Sequence, residues 1–553
     1  MVNSMMQKLT FGMAIALLAG GLVGCGGEDS TMSVDLFGWV DDEGDDGQFV
    51  IGLPEYDGAD EIRIRVTEPA EQRVVNEETF EIEGGTASLP DIEGGGGRRI
   101  EFDVRAQTET VASGATPTFD VNEQGLQRSF RTMISDVDQF APVGSIVQSS
   151  QSGERGVVES IFDLRQLDEI EASGRLGHTA DATDSGQVLV VGGAQVGSSY
   201  EPMTVPSIDK SFADIQLFDP ATGYFTELGG DDEALRSGLV GEDRLQVPRA
   251  FHTVTPVGDD RFVVAGGFDE AANPVDVIEI IDLQAEAGQR VTTLSSELVD
   301  ARGHHSATYL ETNESVVIAG GVADDDSDVL DSMEVIDPDG DGLAGLDMQS
   351  PRVGHSAVLL EDRETIWFIG GRSGDSSDVL ASTEVLDVES GSTQPGPQLD
   401  RARYGASALH LGESSGNSVA IIGGFTAGGA TAHYEIGNPL QGDELQARSG
   451  WEINEARGGM ELFQLPHSGD LLAVGGYNGD REPLGSVERM EVSLSDLPPL
   501  NVDSTAGSMV RLRSAPATAA LSSGRFFVVG GLDDGGQARD NAEYFNPDDP
   551  IAP

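Results

Sequence analysis

The sequence predicts an all-β chain. Its larger part reads as seven small four-stranded sheets set radially about one axis, with a smaller β domain ahead of them. Three observations carry this reading. An apolar run ending in Gly-Gly occurs seven times, closing at Gly192 and Gly193, Gly266 and Gly267, Gly320 and Gly321, Gly370 and Gly371, Gly423 and Gly424, Gly475 and Gly476, and Gly530 and Gly531. An arginine precedes the first glycine of each pair by 17 to 20 residues: Arg175, Arg249, Arg302, Arg352, Arg403, Arg457 and Arg513. The pairs follow one another at spacings of 74, 54, 50, 53, 52 and 55 residues, a period that marks stacked or radially arranged units.

Each unit has the same internal order. Runs such as 177–183 and 354–360 read as first strands. The apolar run into Gly-Gly is the second; it lacks alternation, so both its faces should be buried. A third strand follows an acid-apolar-apolar-acid pattern at 279–282, 334–337 and 384–387, with 543–546 close to it. A weaker fourth, such as 224–228, ends the unit. Four short antiparallel strands per unit, seven units and protected edges describe a seven-bladed β-propeller over residues 157–547, with a tail at 548–553. Glycine after the buried strand permits positive φ and close backbone approach. The last unit has three strands of its own, so the segment 157–170 is expected to supply its fourth and close the ring. These repeats resemble kelch repeats, the blade type of the central domain of galactose oxidase; the late tryptophan of the kelch pattern has a counterpart only at Trp451. The copper cofactor of galactose oxidase, which that resemblance brings to mind, needs a tyrosine cross-linked to a cysteine.

The chain holds one cysteine, Cys25. That excludes the copper cofactor and any intramolecular disulfide, so stability must come from burial. Residues 1–24 read as an export signal, with Lys8 the single charge ahead of an apolar stretch at 9–22. The sequence Leu22-Val23-Gly24-Cys25 resembles a bacterial lipobox, which implies cleavage before Cys25 and a lipid on its thiol. Residues 25–31 are then the lipidated cysteine and a short tether. Gly26, where aspartate is absent, implies the outer membrane by resemblance to enteric lipoprotein sorting, with the periplasmic or surface side open. Residues 32–143 carry short alternating runs, among them 62–66, 99–106 and 129–134, and predict a β-sandwich of the immunoglobulin-like kind. The polar stretch 144–156 reads as a linker.

Formal charge is −64, from 96 acidic and 32 basic residues, and only Lys8 and Lys210 are lysines. Nucleic acid and anionic lipid surfaces both select for basic proteins, so neither is an expected partner. The excess of acid fits a saline habitat, where screening relieves self-repulsion.

Four histidines, His178, His252, His305 and His355, stand three residues after the repeat arginine. One catalytic or metal-binding role does not recur in four blades, so these histidines are assigned to structural bonds between strands or blades. The repeat arginines and the acid of the third strand are assigned to structural pairs. Asp337, Asp339 and Asp341 resemble the start of a calcium loop, although position 12 is Met348 and the stretch falls where an acidic turn is expected anyway. No other cofactor is expected. The two longest insertions both lie in the first unit, at 194–213 with Tyr200 and Lys210, and at 229–247 with Asp231, Asp232 and Glu233. In an up-and-down blade they emerge on one face. Asp324, Asp325, Asp326, Asp375 and Asp533 lie in loops of that same face. Loops on a rigid scaffold often carry function, so this acidic face is the candidate binding surface, suited to a cationic or polyhydroxylated ligand or a basic protein patch. The motifs HExxH and CxxC are absent. The expected role is binding or scaffolding of protein or glycan at the cell envelope. The alternatives are a sugar-modifying enzyme working in the central channel and a purely structural surface protein.

Overall fold

The computed structural model describes residues 174–546 apart from short stretches (197–199, 220–223, 229–242, 341–342, 361–363, 375–376, 413–417, 442–444, 446–450, 466–467, 494–499, 504–507, 522–524 and 540). Ahead of these it describes the backbone of strands between 17 and 158, with the side chains of 59–68, 73–81, 98–107 and 109–114. No α-helix occurs among the described residues. From residue 174 onward the strands form a series of small antiparallel sheets, one per Gly-Gly repeat. The first contains Thr179–Ala182, Val188–Val191, Ile215–Asp219 and Tyr224–Glu227 in that order. Five further sheets have the same four-stranded order, and the one built on Val419–Ile422 has three described strands.

The second strand of each sheet is buried on both faces because each face meets a different neighbour. In Ser315–Ala319, Val316 and Ile318 pack with Val263 and Ala265 of the preceding sheet, whereas Val317 and Ala319 pack with Ile366 and Phe368 of the following one. The same alternation fills every gap from the first sheet to the last. Between the last sheet and the first, Phe527 stacks on Phe218 at 5.0 Å.

The Gly-Gly pair joins neighbouring sheets. The first glycine of each pair has φ between 60° and 65° and the second between 88° and 98°, the left-handed region that only glycine visits freely. At Gly320 a Cβ would sit 2.4 Å from the carbonyl oxygen of Arg352 in the next unit. In six of the units the second glycine donates its N–H to the carbonyl of the next unit's arginine, as Gly321 does to Arg352 at 2.8 Å; Gly531 of the last unit donates to Arg175 of the first at 3.1 Å.

The arginine side chains complete the joint. Arg352 donates Nη1 to the carbonyls of Gly370 and Ser382 at 2.7 and 2.9 Å, and Nη2 to Glu384 at 2.7 Å. Glu384 also accepts from the amides of Gln349 and Ser350, in the connector that leads into the arginine. The same pairing recurs as Arg249–Glu279, Arg302–Glu334, Arg403–Glu435, Arg457–Glu488 and Arg513–Glu543, and in the first unit as Arg175–Asp214. The repeated histidines lie against the first glycine of the preceding unit. His305 bonds Thr253 and His355 bonds Ser306, both at 2.9 Å, and His178 reaches the carbonyl of Val529 in the last sheet at 3.2 Å. Burial first, and the nearby repeat arginine second, push His252 and His355 down to about 3, as burial does to His178, so these rings are neutral.

The closing strand differs from the expectation. Gln139–Pro142, not the segment 157–170, pairs antiparallel with Ala542–Asn546 and supplies the outer strand of the last sheet. It follows directly on the last long strand of the N-terminal region, Arg128–Asp136, and so reaches that edge without crossing the linker. Proline is tolerated there because an outermost strand leaves one side of its backbone unpaired. Residues 159–170 lie outside the described residues. Part of the expected linker is a hairpin, Ser145–Gln148 paired with Arg155–Val158.

Ahead of the closing strand, eight described strands of the N-terminal region join in one hydrogen-bonded path, and two more, Gln48–Ile51 and Phe119–Val121, pair with members of it. Arg128–Asp136 runs parallel to Met32–Val40. Glu61–Glu68 and Gly95–Ala106 bury Ile62, Ile64, Val66, Phe102 and Val104 on one face. On their other face Arg65 lies 3.1 Å from both Glu101 and Asp103. Leu17–Ala19, inside the expected leader, pairs with Met32–Val40.

Candidate functional site

The first strands of successive sheets adjoin one another, and the residue two places after each repeat arginine stands where they converge. These residues are Gly177, Phe251, His304, Gly354, Gly405, Gly459 and Ala515, and all seven have φ between 44° and 67°. Backbone bonds link neighbours among them, from Phe251 N to Gly177 O at 2.7 Å, from Gly405 N to Gly354 O at 2.7 Å and from Gly459 N to Gly405 O at 2.8 Å. Phe251 and His304 hold a conformation that is strained for a side-chain-bearing residue. Their rings meet at 4.7 Å between centroids.

The first unit's insertion lies across this mouth. Its base is the hairpin Ala194–Val196 with Ile208–Ser211. Beyond it, Tyr200 stacks on Phe251 at 5.3 Å. The carbonyl of Thr204 faces His304 Nε2 at 2.9 Å; a carbonyl only accepts, so Nε2 carries the proton. Burial pushes His304 down to about 4 and the Tyr200 phenol well above its usual range. Val205 N donates to Asp326 at 2.7 Å, and Arg372 Nη2 donates to the carbonyl of Met203 at 2.5 Å. Glu201 pairs with Arg481 at 2.5 Å, and Met203 packs beside Tyr404, Phe425 and Tyr477. One short stretch thus touches five other units.

The sequence-predicted residues fall into distinct groups. Tyr200 and Asp326 are brought to the mouth. Lys210 is exposed, with its ammonium 5.0 Å from the ring centre of Phe212. Asp324 and Asp325 are exposed on the loop that holds Asp326, and Asp325 caps Ser327 at 2.8 Å. Asp533 accepts from Gly535 and Gln537, the arrangement that Asp269 and Asn478 make at the same place in their own units. This side-chain capping of a turn is a common reason for Asp and Asn in loops. Asp231, Asp232, Glu233, Asp375 and Cys25 lie outside the described residues. Of the calcium-loop residues, Asp337 caps Asp339 N, Asp339 is engaged by Arg261 at 2.6 Å, and Asp341 lies outside the described residues. Among the described residues no three acidic, histidine or cysteine side chains converge to hold a metal.

Two half-buried carboxyls on first strands were not singled out from sequence. Burial raises Asp181 and Glu461 to about 7 each. Glu461 has Thr518 of the next sheet at 3.4 Å, and one oxygen of Asp181 has no partner. They belong to the first and sixth units, with the last unit between them, and neither owes its shift to the other's charge.

No family model matches the chain, and no curated protein matches it. Among solved structures, a fungal alcohol oxidase of the AA5 family in complex with copper aligns over 68% of this chain and 75% of its own, at 14% identity and a TM-score of 0.49. YjhT aligns over 54% of this chain and 94% of its own, at 14% identity and a TM-score of 0.39. Likeness this remote says nothing of chemistry.

Proposed function

We propose that this chain is a lipid-anchored cell-envelope protein in which a closed, seven-bladed kelch-type propeller follows an immunoglobulin-like β-sandwich. It binds or scaffolds an envelope protein or a glycan through the face that carries the first unit's insertion. The observation that supports this most is the construction of that face. Side chains of five units hold 200–205 across the mouth, and exposed Asp324 and Asp328 flank it on one side. Loops carried on a rigid scaffold suit recognition, and the charge of these favours a cationic or polyhydroxylated ligand or a basic patch. The rival reading, a sugar-modifying enzyme in the central channel, needs an acid and a base that converge; Asp181 and Glu461 stand two units apart.

The lipid anchor rests on the sequence around Cys25. Cleavage before Cys25 would remove Leu17–Ala19 from the edge of Met32–Val40, which keeps Gln48–Ile51 and Arg128–Asp136 as partners. Cys25→Ser should move the protein from the membrane fraction to the soluble one; retention after carbonate washing counts against lipidation. The soluble Cys25→Ser protein is then screened on a glycan array and in an envelope-protein pull-down, with and without Ca²⁺. Selective binding that weakens tenfold or more in Asp324→Asn with Asp328→Asn supports the reading. Binding untouched by that pair, or no selective binding in either arm, removes it.

A further inference from the structure

We infer that Tyr200–Val205 is a plug that opens over the axial mouth while the ring stays folded. This inference does not depend on the proposed binding role.

Three features separate the plug from the ring. The ring is held by strand ladders and by the repeated arginine joint. Within the plug, the polar backbone groups that reach the ring are met by single side chains: Asp326 for Val205 N, His304 for Thr204 O and Arg372 for Met203 O. Segments held by few, individually weak bonds open at a free energy well below that of global unfolding. The closed plug is also strained, because Met203 has φ 62°, and opening relieves that strain. Finally, the plug is anchored at one end by Glu201–Arg481, a pair that is about half exposed on both sides, and salt screens such a pair. The hinge is the hairpin base, where the register shifts between Gln195 and Val196.

Arg372 is the latch. The residue that follows each Gly-Gly is Ala194, Phe268, Val322, Arg372, Phe425, Tyr477 or Leu532, so six units place an apolar or aromatic side chain there and the fourth places a buried guanidinium. That guanidinium reaches Met203 O, Asp326 O and Gly374 O. It ties the plug to two neighbouring loops at once. When the plug lifts, the mouth presents the rings of Phe251, His304, Tyr404, Phe425 and Tyr477.

Native-state hydrogen exchange on the full chain in detergent tests this. The peptide spanning 200–205 should exchange at least a hundredfold faster than the amides of Ser315–Ala319, and its rate should rise with salt. Arg372→Gln should speed the plug a further tenfold or more and leave Ser315–Ala319 unchanged. If the plug in the wild-type protein exchanges no faster than Ser315–Ala319, the inference fails. It also fails if Arg372→Gln speeds plug and ring equally. Should the variant not fold, the wild-type comparison alone decides.

Discussion

Replacing Arg352 by methionine tests whether the repeated arginine is a simple ion-pair partner or a joint. The side chain is fully buried and makes five bonds: two to Glu384, two to the carbonyls of Gly370 and Ser382 and one to the Ser382 hydroxyl. Removing one partner of a buried pair typically costs about 3–5 kcal/mol, because the other charge is left uncompensated. Arg352→Met should therefore take about 4 kcal/mol from the ring, a large part of the roughly 5–15 kcal/mol of a typical domain. The double variant Arg352→Met with Glu384→Leu separates the two readings. It removes both charges, but it leaves the carbonyls of Gly370 and Ser382 and the amides of Gln349 and Ser350 without these partners. At about 1 kcal/mol or more for each such group, the double variant also loses about 4 kcal/mol and is no more stable than the single one. Urea unfolding followed by the fluorescence of Trp367 and Trp451, both buried in the ring, measures this, provided the slope is unchanged between variants. A double variant within about 1 kcal/mol of wild type would refute the joint: the arginine would then be one half of a replaceable charge pair.

Gly320→Ala should destabilise by about 2 kcal/mol or more, since alanine is strained at positive φ and its Cβ would meet the Arg352 carbonyl; Gly345→Ala, with open space around it, serves as the control in the same denaturation assay and should stay within about 0.5 kcal/mol. Acid should weaken the ring. His178, His252 and His355 titrate near 3 when folded and near 6.5 when unfolded, so the unfolded chain binds more protons between those values. Their contribution is complete above 6.5 and is lost as pH falls toward 3, by about 1.4 kcal/mol per pH unit for each ring. Asp181 and Glu461, raised to about 7, act in the opposite sense between their unfolded values and 7. Melting temperatures at pH 7, 5.5 and 4.5 should show a shallower decline in His252→Met, which copies the residue that the sixth unit places at this position, Met460; an equal decline would remove that histidine from the account. Deleting Gln139–Pro142 should bare the outer edge of Ala542–Asn546 and cause concentration-dependent association, read by light scattering; a protein that stays monomeric would show that something else covers that edge.

Much of the ring was legible because its physics repeats. A short apolar run without alternation, closed by glycines, reads as a strand buried on both faces, and Val316 to Ala319 dividing their side chains between two neighbours is the reason. The ion pairs were legible too, since the acid follows its arginine by 30 to 32 residues in six units; the first unit escapes the pattern because its insertion moves Asp214 to 39. The closing strand was not legible. Gln139–Pro142 is four residues long, contains proline and carries no period of its own, and its partner is chosen by a free edge that exists only in three dimensions. The plug was missed for a related reason: single side chains bonding backbone atoms leave no periodic trace. Gly177, Gly354, Gly405 and Gly459 hinted at a left-handed position two places after the arginine, and Phe251, His304 and Ala515 concealed it. Acid in the loops was read as surface charge, yet Asp269 and Asp533 cap their own turns.

The strand that completes the last sheet has a consequence for timing. It and its partner strand lie on the order of 400 residues apart in the chain, and contacts of such long range form late because the intervening chain must first be ordered. The early-made strand has to wait, with its edge unpaired, until the segment ending at Asn546 has been synthesised. That sheet is therefore completed only once the last repeat has been made. A nascent chain halted anywhere before the last repeat would be a string of sheets with two open ends, vulnerable to proteases and to pairing with its own kind. Ribosome-stalled chains of increasing length should accordingly remain protease-sensitive and then become resistant in one step, once the strand ending at Asn546 has emerged.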